Sequence, residues 1–239
     1  MLALMRLDHL TWPEVEAYLG RAGGILLPVG STEQHGPNGP LGTDALCPEG
    51  VGRDAAARLG ILVAPTLRLG VAPYHMAFPG TITLTPETFQ AVLKETVASL
   101  ARHGFGHVYV LNGHGGNIPF IRAVLKELEA PRCRLHSWFA GPRVRALAKQ
   151  LYGKAEGLHA TPSEIALAWH VAPETRREDV AMTPKRAPGG FEKEPGAFRA
   201  RFPDGRIGSE AALARVEDGA RLLQAAVEDV VEDYRAFTV

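Results

Sequence analysis

The sequence is poor in the features that mark several classes of protein. Cysteine occurs only twice, as Cys47 and Cys133, with no C-x-x-C pair, which argues against a disulfide framework and favours a reducing compartment. No apolar run approaches the length of a transmembrane helix, and charged residues interrupt the first segment too often for a signal peptide. We therefore expect a cytoplasmic protein that does not use a membrane as partner.

The sequence also lacks net charge. It has 26 acidic and 26 basic residues, a balance that favours neither a nucleic acid nor an anionic membrane as partner. The glycine-rich segment GHGGN contains neither G-x-G-x-x-G nor the Walker lysine, which argues against a nucleotide-binding loop. The length of 239 residues fits one domain that spans 1–239.

Apolar, β-rich runs alternate with helical patterns along most of the chain. Continuous apolar strands between helices predict an α/β fold with a mainly parallel sheet covered on both faces. The stretch at about 182–208 is rich in Pro, Gly, Lys and Arg, which predicts an irregular excursion, either a lid or a subunit contact. The expected strands are 23–30, 61–67, 107–113 and 133–139, and the expected helices are 44–59, 85–103, 117–130 and 209–237. The last helix is strongly amphipathic, so its periodic apolar residues from Leu213 to Val230 are expected in the core.

Two polar, glycine-containing segments come directly after predicted strands. One contains Glu33-Gln34-His35, and the other, NGHGGN, contains His114. Sites in parallel sheets gather in the loops beyond the carboxyl ends of the strands. In extended backbone, Glu33 and His35 point to the same side. Asp44 follows at the start of the next helix, where it could cap the helix, bind one metal ion or bridge two. The simplest alternative is a hydrogen-bonded polar loop with Asp44 as a helix cap.

Glu33, His35, Asp44 and His114 together form a candidate set of metal ligands. Mixed oxygen and nitrogen donors suit Zn²⁺, Mn²⁺ or Fe²⁺ better than Ca²⁺ or Mg²⁺. Two divalent ions could share a hydroxide nucleophile and polarise a carbonyl group. Their charge would be balanced by that hydroxide and the carboxylates of Glu33, Asp44 and Glu164, and a buried cluster requires such a balance.

His159 and Glu164 are the candidate catalytic residues. Pro162 predicts a helix start, which places Glu164 in the first helical turn and His159 in the loop before it. The two side chains can therefore face one pocket, where His159 could protonate a leaving nitrogen. Glu164 is also a candidate metal ligand. Ordinary loop polarity and a helix-terminal acid are the competing interpretations of these two residues.

Three motifs together resemble the creatininase, or creatinine amidohydrolase, family. They are EQHGPNGPLGTD, NGHGGN and the H-x-x-x-x-E formed by His159 and Glu164, and GRIGSEAALARVEDG (205–219) resembles a late segment of the family. The resemblance covers about 25–220. It implies a three-layer α/β/α fold, two divalent ions per subunit, hydrolysis of a non-peptide or unusual C–N amide bond, and a homo-oligomer, often a hexamer. It also implies His159 as the acid/base residue, Asp44 as a bridging ligand, and further ligands at Glu33, His35 and His114.

Two positions depart from creatininase itself. Creatininase has a ligand glutamate two residues after the histidine of its NGH motif, where this chain has Gly116, and Glu164 is our candidate for the missing carboxylate. Creatininase also has a tryptophan four residues before its acid/base histidine, where this chain has Ala155. We therefore do not expect creatinine as the substrate. The candidate substrate-binding residues are His75, Trp138, Gly115 and Gly116.

Three functional hypotheses follow from the sequence. The principal one is a metal-dependent hydrolase that cleaves the C–N bond of a cyclic amide, a formamide or a related small amide. The second is a metal-dependent peptidase that acts on a modified or short peptide, with the basic segment 182–208 shaping a groove. The third is a non-catalytic, metal-bound assembly protein.

Overall fold

The computed structural model of the protein describes residues 6–239. Its centre is a four-stranded sheet in which all neighbouring strands are parallel. The strands are β1 (Gly24–Val29), β2 (Leu62–Val63), β3 (His107–Asn112) and β4 (Arg132–Ser137). They lie in the order β2-β1-β3-β4, which confirms the predicted α/β class.

Helices cover both faces of the sheet and complete three layers. Within 6–239, no helix combines the length and apolar character needed to cross a bilayer. The helices are α1 (Trp12–Leu19), α2 (Thr43–Leu59), α3 (Pro86–Arg102), α4 (Ile118–Glu127), α5 (Pro142–Tyr152), α6 (Pro162–Val171), α7 (Pro195–Arg201) and α8 (Val216–Thr238).

The two faces of the sheet bury separate sets of apolar side chains, because successive strand residues point to opposite sides. Leu26 packs with residues of α2, α5, α6 and α8. Its neighbours Ile25 and Leu27 pack with residues of α1, α3 and α4. Every residue of β1 is buried, which explains why this strand is continuously apolar in sequence.

The structure differs from the predicted element bounds at the last helix. α8 begins at Val216, because Ala211–Leu213 form a separate 3-10 turn before it. Leu213 therefore lies outside the helical repeat and is 39% exposed, so its predicted core position is wrong. The later apolar residues of α8, including Leu222 and Val230, are fully buried as predicted.

The second predicted strand is also shorter than its apolar run. Only Leu62–Val63 pair as β2, whereas 61–67 was the expected range. Pro65 has no backbone N–H to donate to a ladder, so the regular pairing ends before it. The chain returns to β1 at Leu67, whose N–H donates to Pro28 O at 3.0 Å.

Outside the excursion at 182–208, two helices lie where the sequence pattern predicts none. The capping box of Thr11 and Glu14 starts α1, and the spacing T-x-x-E is a recognised signal for such a start. In α5, Pro142 occupies the first turn, where its missing N–H costs nothing. Both helices were detectable from these local signals.

The excursion at 182–208 was expected to be irregular, but it contains a short helix, α7, and it packs against the body of the protein. Arg206 is fully buried and anchors the segment by donating to Lys185 O at 2.7 Å and to Pro184 O at 2.8 Å. Phe198 of α7 packs edge-on against His75, with ring centroids 4.9 Å apart. The excursion therefore lies beside a loop that carries a candidate site residue.

Candidate metal centre

The carboxyl ends of β1 and β3 bring the two polar segments together. Val29 and Asn112, the last residues of these strands, are paired in the sheet register. Glu33 and His114 follow these paired ends within a few residues, so both side chains reach the same place. Glu33 is fully buried and His114 is 4% exposed.

Asp44 lies between the two predicted histidine ligands. Its Oδ1 is 3.1 Å from His35 Nε2, and its Oδ2 is 2.9 Å from His114 Nδ1. Glu33 lies on the same side of Asp44 as His114, and its Oε2 is 3.3 Å from His114 Nδ1. The four residues predicted as metal ligands are therefore in mutual contact, in the first turn of α2 and in the loops after β1 and β3.

Backbone carbonyls fix the orientation of three imidazoles in the cluster. His35 Nδ1 lies 3.0 Å from Glu33 O, His114 Nε2 lies 3.1 Å from Val71 O, and His159 Nε2 lies 2.8 Å from Gln34 O. A carbonyl only accepts, so each of these nitrogens donates and the other ring nitrogen is left without a proton in the neutral ring. This is the arrangement that metal-ligating histidines use.

Two buried carboxylate oxygens in the cluster indicate that these residues fit a metal ion. Glu33 Oε1 and Asp44 Oδ2 have no hydrogen-bond partner, since the close approach of His114 Nδ1 to Asp44 Oδ2 lacks hydrogen-bond geometry. Leaving a buried charged acceptor unsatisfied is costly, and a cation would satisfy both. Three groups of ligand atoms lie within 4.8 Å of one another: Glu33 with His35 and Asp44, Glu33 with His75 and His159, and His35 with His159 and Glu164.

Burial and charge act in opposite directions on these groups. Burial opposes the charge on both imidazoles, but the carboxylates around them raise the pKa of His35 to about 10 and of His114 to about 9. Burial raises the pKa of Glu33 to about 7. Asp44 is buried too, yet His35 and His114 hold the pKa of its carboxyl well below its usual range. The cluster thus attracts positive charge strongly.

His159 and Glu164, the predicted catalytic residues, lie at the edge of this cluster. His159 Nδ1 is 3.9 Å from Glu33 Oε1. Burial and the nearby His35 lower the pKa of His159 to about 3, so its ring is neutral at pH 7. Glu164 Oε1 accepts from Thr161 N at 2.6 Å as part of a capping box and lies 3.9 Å from His35 Nε2. Glu164 therefore caps α6 and faces the cluster at once.

Gln34 is a site residue to which the sequence pattern assigns no role, because alternation turns it away from its neighbours. Its side-chain nitrogen lies 2.8 Å from His75 Nδ1 and 3.0 Å from Gly205 O, while its Oε1 accepts from Gly36 N at 3.0 Å. Both amide hydrogens are thereby used, and His75 Nδ1 must accept. The proton of His75 then sits on Nε2, 3.3 Å from Glu33 Oε1.

The hydrogen bonds around Gln34 also determine which ring nitrogen of His159 carries its proton. Gln34 Nε2 also lies 2.9 Å from His159 Nε2, but it has no third hydrogen to donate there. His159 Nε2 instead donates to the Gln34 carbonyl, so its free Nδ1 faces the carboxylates. Neutral His75 therefore carries its proton on Nε2, on the side of Glu33, whereas neutral His159 presents a lone pair to the cluster.

A cavity of about 570 Å³ opens beside the cluster. A volume of this order accommodates a small-molecule ligand. The four predicted substrate-binding residues, His75, Trp138, Gly115 and Gly116, all line it. Several other residues line the cavity but were not predicted as site residues from the sequence, including Tyr74, Arg145, Lys149, Glu156 and Phe191.

Gly116 marks the position at which creatininase has a ligand glutamate. A Cβ atom added there would collide with His114 Nε2 and lie 2.8 Å from Val71 O. The backbone at this point therefore admits only glycine while His114 donates to Val71 O. In contrast, a Cβ atom at Gly115 would meet open space.

Comparisons with known proteins agree with this fold. The family model for Creatininase, described as creatinine amidohydrolase, matches residues 8–234. The mycofactocin precursor peptide peptidase of Mycobacterium ulcerans (strain Agy99) is 33% identical over 242 residues, which is 95% of this chain and 87% of that protein. The 3-dehydro-scyllo-inosose hydrolase of Thermotoga maritima is 30% identical over 192 residues, which is 77% of this chain and 61% of that protein.

Solved structures give the same result. A creatininase described as the Mn form has a TM-score of 0.81 and 28% identity, with 97% of this chain and 98% of that chain covered. A mutant creatininase described as the Zn-Zn type has a TM-score of 0.80 and 28% identity, with 97% of each chain covered. From its motifs, its three-layer fold and the match of the family model over nearly its whole length, this chain belongs to the creatininase family.

Proposed function

We propose that this protein is a metal-dependent amidohydrolase that cleaves a C–N amide bond with two divalent ions, of Zn, Mn or Fe. Ions bound at the cluster would supply an activated water and polarise the scissile carbonyl. The coarser activity, a metal-dependent hydrolase, is that of the family. The roles of the individual site residues and the C–N amide bond as the bond that is cleaved are our proposal.

The observation that carries the proposal is the position of Asp44. Its two oxygens face different histidines, at 3.1 Å and 2.9 Å, so Asp44 would be placed to hold two ions at once. We assign Glu33 and His114 to the side of Oδ2, and His35 to the side of Oδ1. Glu164, 3.9 Å from His35 Nε2, is our candidate for the carboxylate that Gly116 cannot provide.

His159 is the proposed acid/base residue. Its Nε2 is held by the Gln34 carbonyl, and its neutral ring presents Nδ1 to the cluster, where it can take a proton from the attacking water and deliver it to the leaving nitrogen. His75 would carry its Nε2 proton beside Glu33, 3.3 Å from Oε1. Trp138, Gly115 and Gly116 form the adjoining wall of the cavity and would contact the substrate.

The proposed substrate is a small amide, such as a cyclic amide or a formamide. The cavity of about 570 Å³ suits such a molecule. A peptidase is the second candidate, because the relative that covers 95% of this chain is a precursor peptide peptidase. A short peptide end would also fit in a cavity of this size. A non-catalytic assembly role has no comparable support.

Four further predictions are extrapolations from the sequence. They are that 1–239 forms one domain, that the chain assembles as a homo-oligomer with the hexamer as the family's state, that it acts in the cytoplasm, and that nucleic acids are not its partners. The family match over 8–234 supports the first of these. Size-exclusion chromatography with light scattering would test the assembly state.

A hydrolysis screen of metal-loaded protein tests the proposed function. The panel contains cyclic amides, ureides, formamides and short peptides, and the variant His159→Ala removes the proposed acid/base group. We expect turnover of at least one small amide, with kcat reduced about a hundredfold or more in His159→Ala and metal content unchanged. His103→Ala, a change at an exposed residue outside the site, is the matched control. Turnover that survives in His159→Ala would reject the assigned role, and cleavage of peptides alone would favour the peptidase.

A further inference from the structure

The cavity wall carries two cations that the proposed function does not use. Val144, Arg145, Ala148 and Lys149 all line the cavity and lie at helical spacing on one face of α5. Val144 and Ala148 are buried at the base of this face. Arg145 and Lys149 are exposed and stand one helical turn apart beside them.

These two cations lack an acidic partner among residues 6–239. Their neighbour Arg143 shows the contrast, because it pairs with Asp229 at 3.0 Å and with Glu232 at 2.7 Å. Arg143 points to α8, on the other side of α5. Arg145 and Lys149 point to the cavity and make no ion pair within 4.0 Å there.

The acids of the cavity do not cancel both of these charges. Glu33, Asp44 and Glu164 belong to the metal cluster, where two divalent ions would balance them. Glu156, which accepts a hydrogen bond from Ser163, is one carboxylate against two cations. With the cluster neutralised, the cavity carries an excess of positive charge on the α5 wall, and a concave site with low-dielectric walls focuses such a field.

We propose that Arg145 and Lys149 form an anion-binding subsite, so that the substrate carries a carboxylate or a phosphate at the end remote from the scissile amide. This inference rests on the proposed function and narrows its substrate class to anionic amides. Arginine suits either anion because its planar guanidinium donates two parallel hydrogen bonds, and lysine adds a point charge.

Three probes of similar length separate charge from amide recognition. They are 4-acetamidobutanoate, 3-acetamidopropyl phosphate and the neutral 4-acetamidobutanamide. Each is titrated calorimetrically into Mn²⁺-loaded protein at low ionic strength, where exposed charges are least screened. We expect both anionic probes to bind about tenfold more tightly than the neutral one. The tighter of the two anions identifies the natural group.

A matched pair of double variants decides the assignment, because an anion can also contact the metal ions directly. Arg145→Ala/Lys149→Ala should abolish the preference for the anionic probes and leave binding of the neutral probe unchanged. The control is Arg122→Ala/Lys126→Ala, which removes an exposed arginine and lysine at the same spacing from α4, on the opposite side of the sheet. This control should keep the full preference.

Two results would overturn the inference: equal binding of charged and neutral probes to the wild type, or an anion preference that persists in Arg145→Ala/Lys149→Ala. Hydrolysis of a bound probe bears only on the proposed function. If the protein prefers the anionic probes but hydrolyses none of the amides, the anion-binding subsite stands and the amidohydrolase activity is refuted. If it hydrolyses amides without preferring the anionic probes, the activity stands and the subsite is refuted.

Discussion

The side chain of Gln34 donates to Nδ1 of His75 at 2.8 Å, and this bond determines which nitrogen of His75 carries its proton. With Nδ1 occupied, the proton of His75 is on Nε2, which lies 3.3 Å from Glu33 Oε1 without hydrogen-bond geometry. The backbone carbonyl of the same Gln34 holds His159 in the opposite sense, with Nδ1 free. One residue thereby sets different roles for two stacked imidazoles, whose centroids are 4.4 Å apart.

The first prediction concerns this positioning role. Gln34→Leu keeps the volume but removes the amide, so His75 is free to move its proton to Nδ1 and lose its contact with Glu33. We expect kcat for amide hydrolysis to fall about tenfold to a hundredfold, the effect typical of lost orienting partners. Metal content should stay near that of the wild type.

Histidine ¹⁵N shifts give a readout that a merely structural role would not change. The wild-type signal of His75 should be that of the Nε2–H tautomer, and Gln34→Leu should shift it. Gln224→Leu, at an exposed site of α8, should change neither kcat nor the spectrum. An unchanged kcat in Gln34→Leu would exclude a positioning role.

The second prediction compares two neighbouring glycines. In Gly116→Ala the added Cβ collides with His114 Nε2 and presses on Val71 O, so the imidazole must leave its position. We expect metal affinity to fall at least about tenfold, measured by competition with a chromogenic chelator. Gly115→Ala, where the added atom meets open space, is the control. Equal metal affinity in the two variants would show that His114 does not depend on this packing.

The third prediction separates the two roles of Glu164. Glutamine also serves in a capping box, so Glu164→Gln should preserve the bond from Thr161 N and shift the thermal midpoint by no more than about 2 °C. If Glu164 is also a ligand, the second divalent ion should bind at least about tenfold more weakly, because its carboxylate charge is lost. Calorimetric metal titration measures this. Unchanged affinity for both ions would leave Glu164 as a helix cap alone.

The fourth prediction concerns stability away from the site. Asp229 of α8 is 3% exposed, and its Oδ2 accepts from Arg143 N at 3.0 Å and from Val144 N at 3.1 Å. These bonds tie the start of α5 to α8. Asp229→Ala leaves the two N–H groups without an acceptor and should cost about 2–4 kcal/mol of unfolding free energy, measured by urea denaturation.

The adjacent acid provides the control for this stability change. Glu228 has an exposed side chain and lies 3.6 Å from Arg143 Nε, so Glu228→Ala should change the unfolding free energy by no more than about 0.5 kcal/mol. A similar loss in both variants would indicate a general effect of charge on α8. It would contradict a specific capping role for Asp229.

The sequence predicts the sheet and the cluster because both follow from local rules. Continuous apolar runs predict β1 and β3 as buried strands of a parallel sheet, and the paired ends of these strands in the structure bring Glu33 and His114 together. The two loops at this edge of the sheet could therefore be predicted to form a site without knowledge of the tertiary structure. The prediction for Leu213 was wrong because the apolar repeat of α8 continues in the sequence before Val216, where the helix itself begins.

The roles of Gln34 and Arg145 could not be predicted in the same way. Gln34 acts through Gly205, a residue 171 positions away, and no periodic pattern reports such a contact. Arg145 lies on a helix that also exposes Arg143 and Lys149, so sequence alone does not tell which of these cations face the cavity. Their positions depend on how α5 and the excursion at 182–208 pack around the sheet.

Whether the protein hydrolyses amides with two bound ions is decided by measuring its metal content together with its activity. Protein prepared without chelators, loaded with Mn²⁺ or Zn²⁺ and gel-filtered should retain about two divalent ions per chain and gain amide-hydrolysing activity. Asp44→Asn should lose metal and activity together, because each oxygen of Asp44 faces a different histidine. Retention of less than about half an ion per chain, with no activity gained from any of the three metals, would contradict the account.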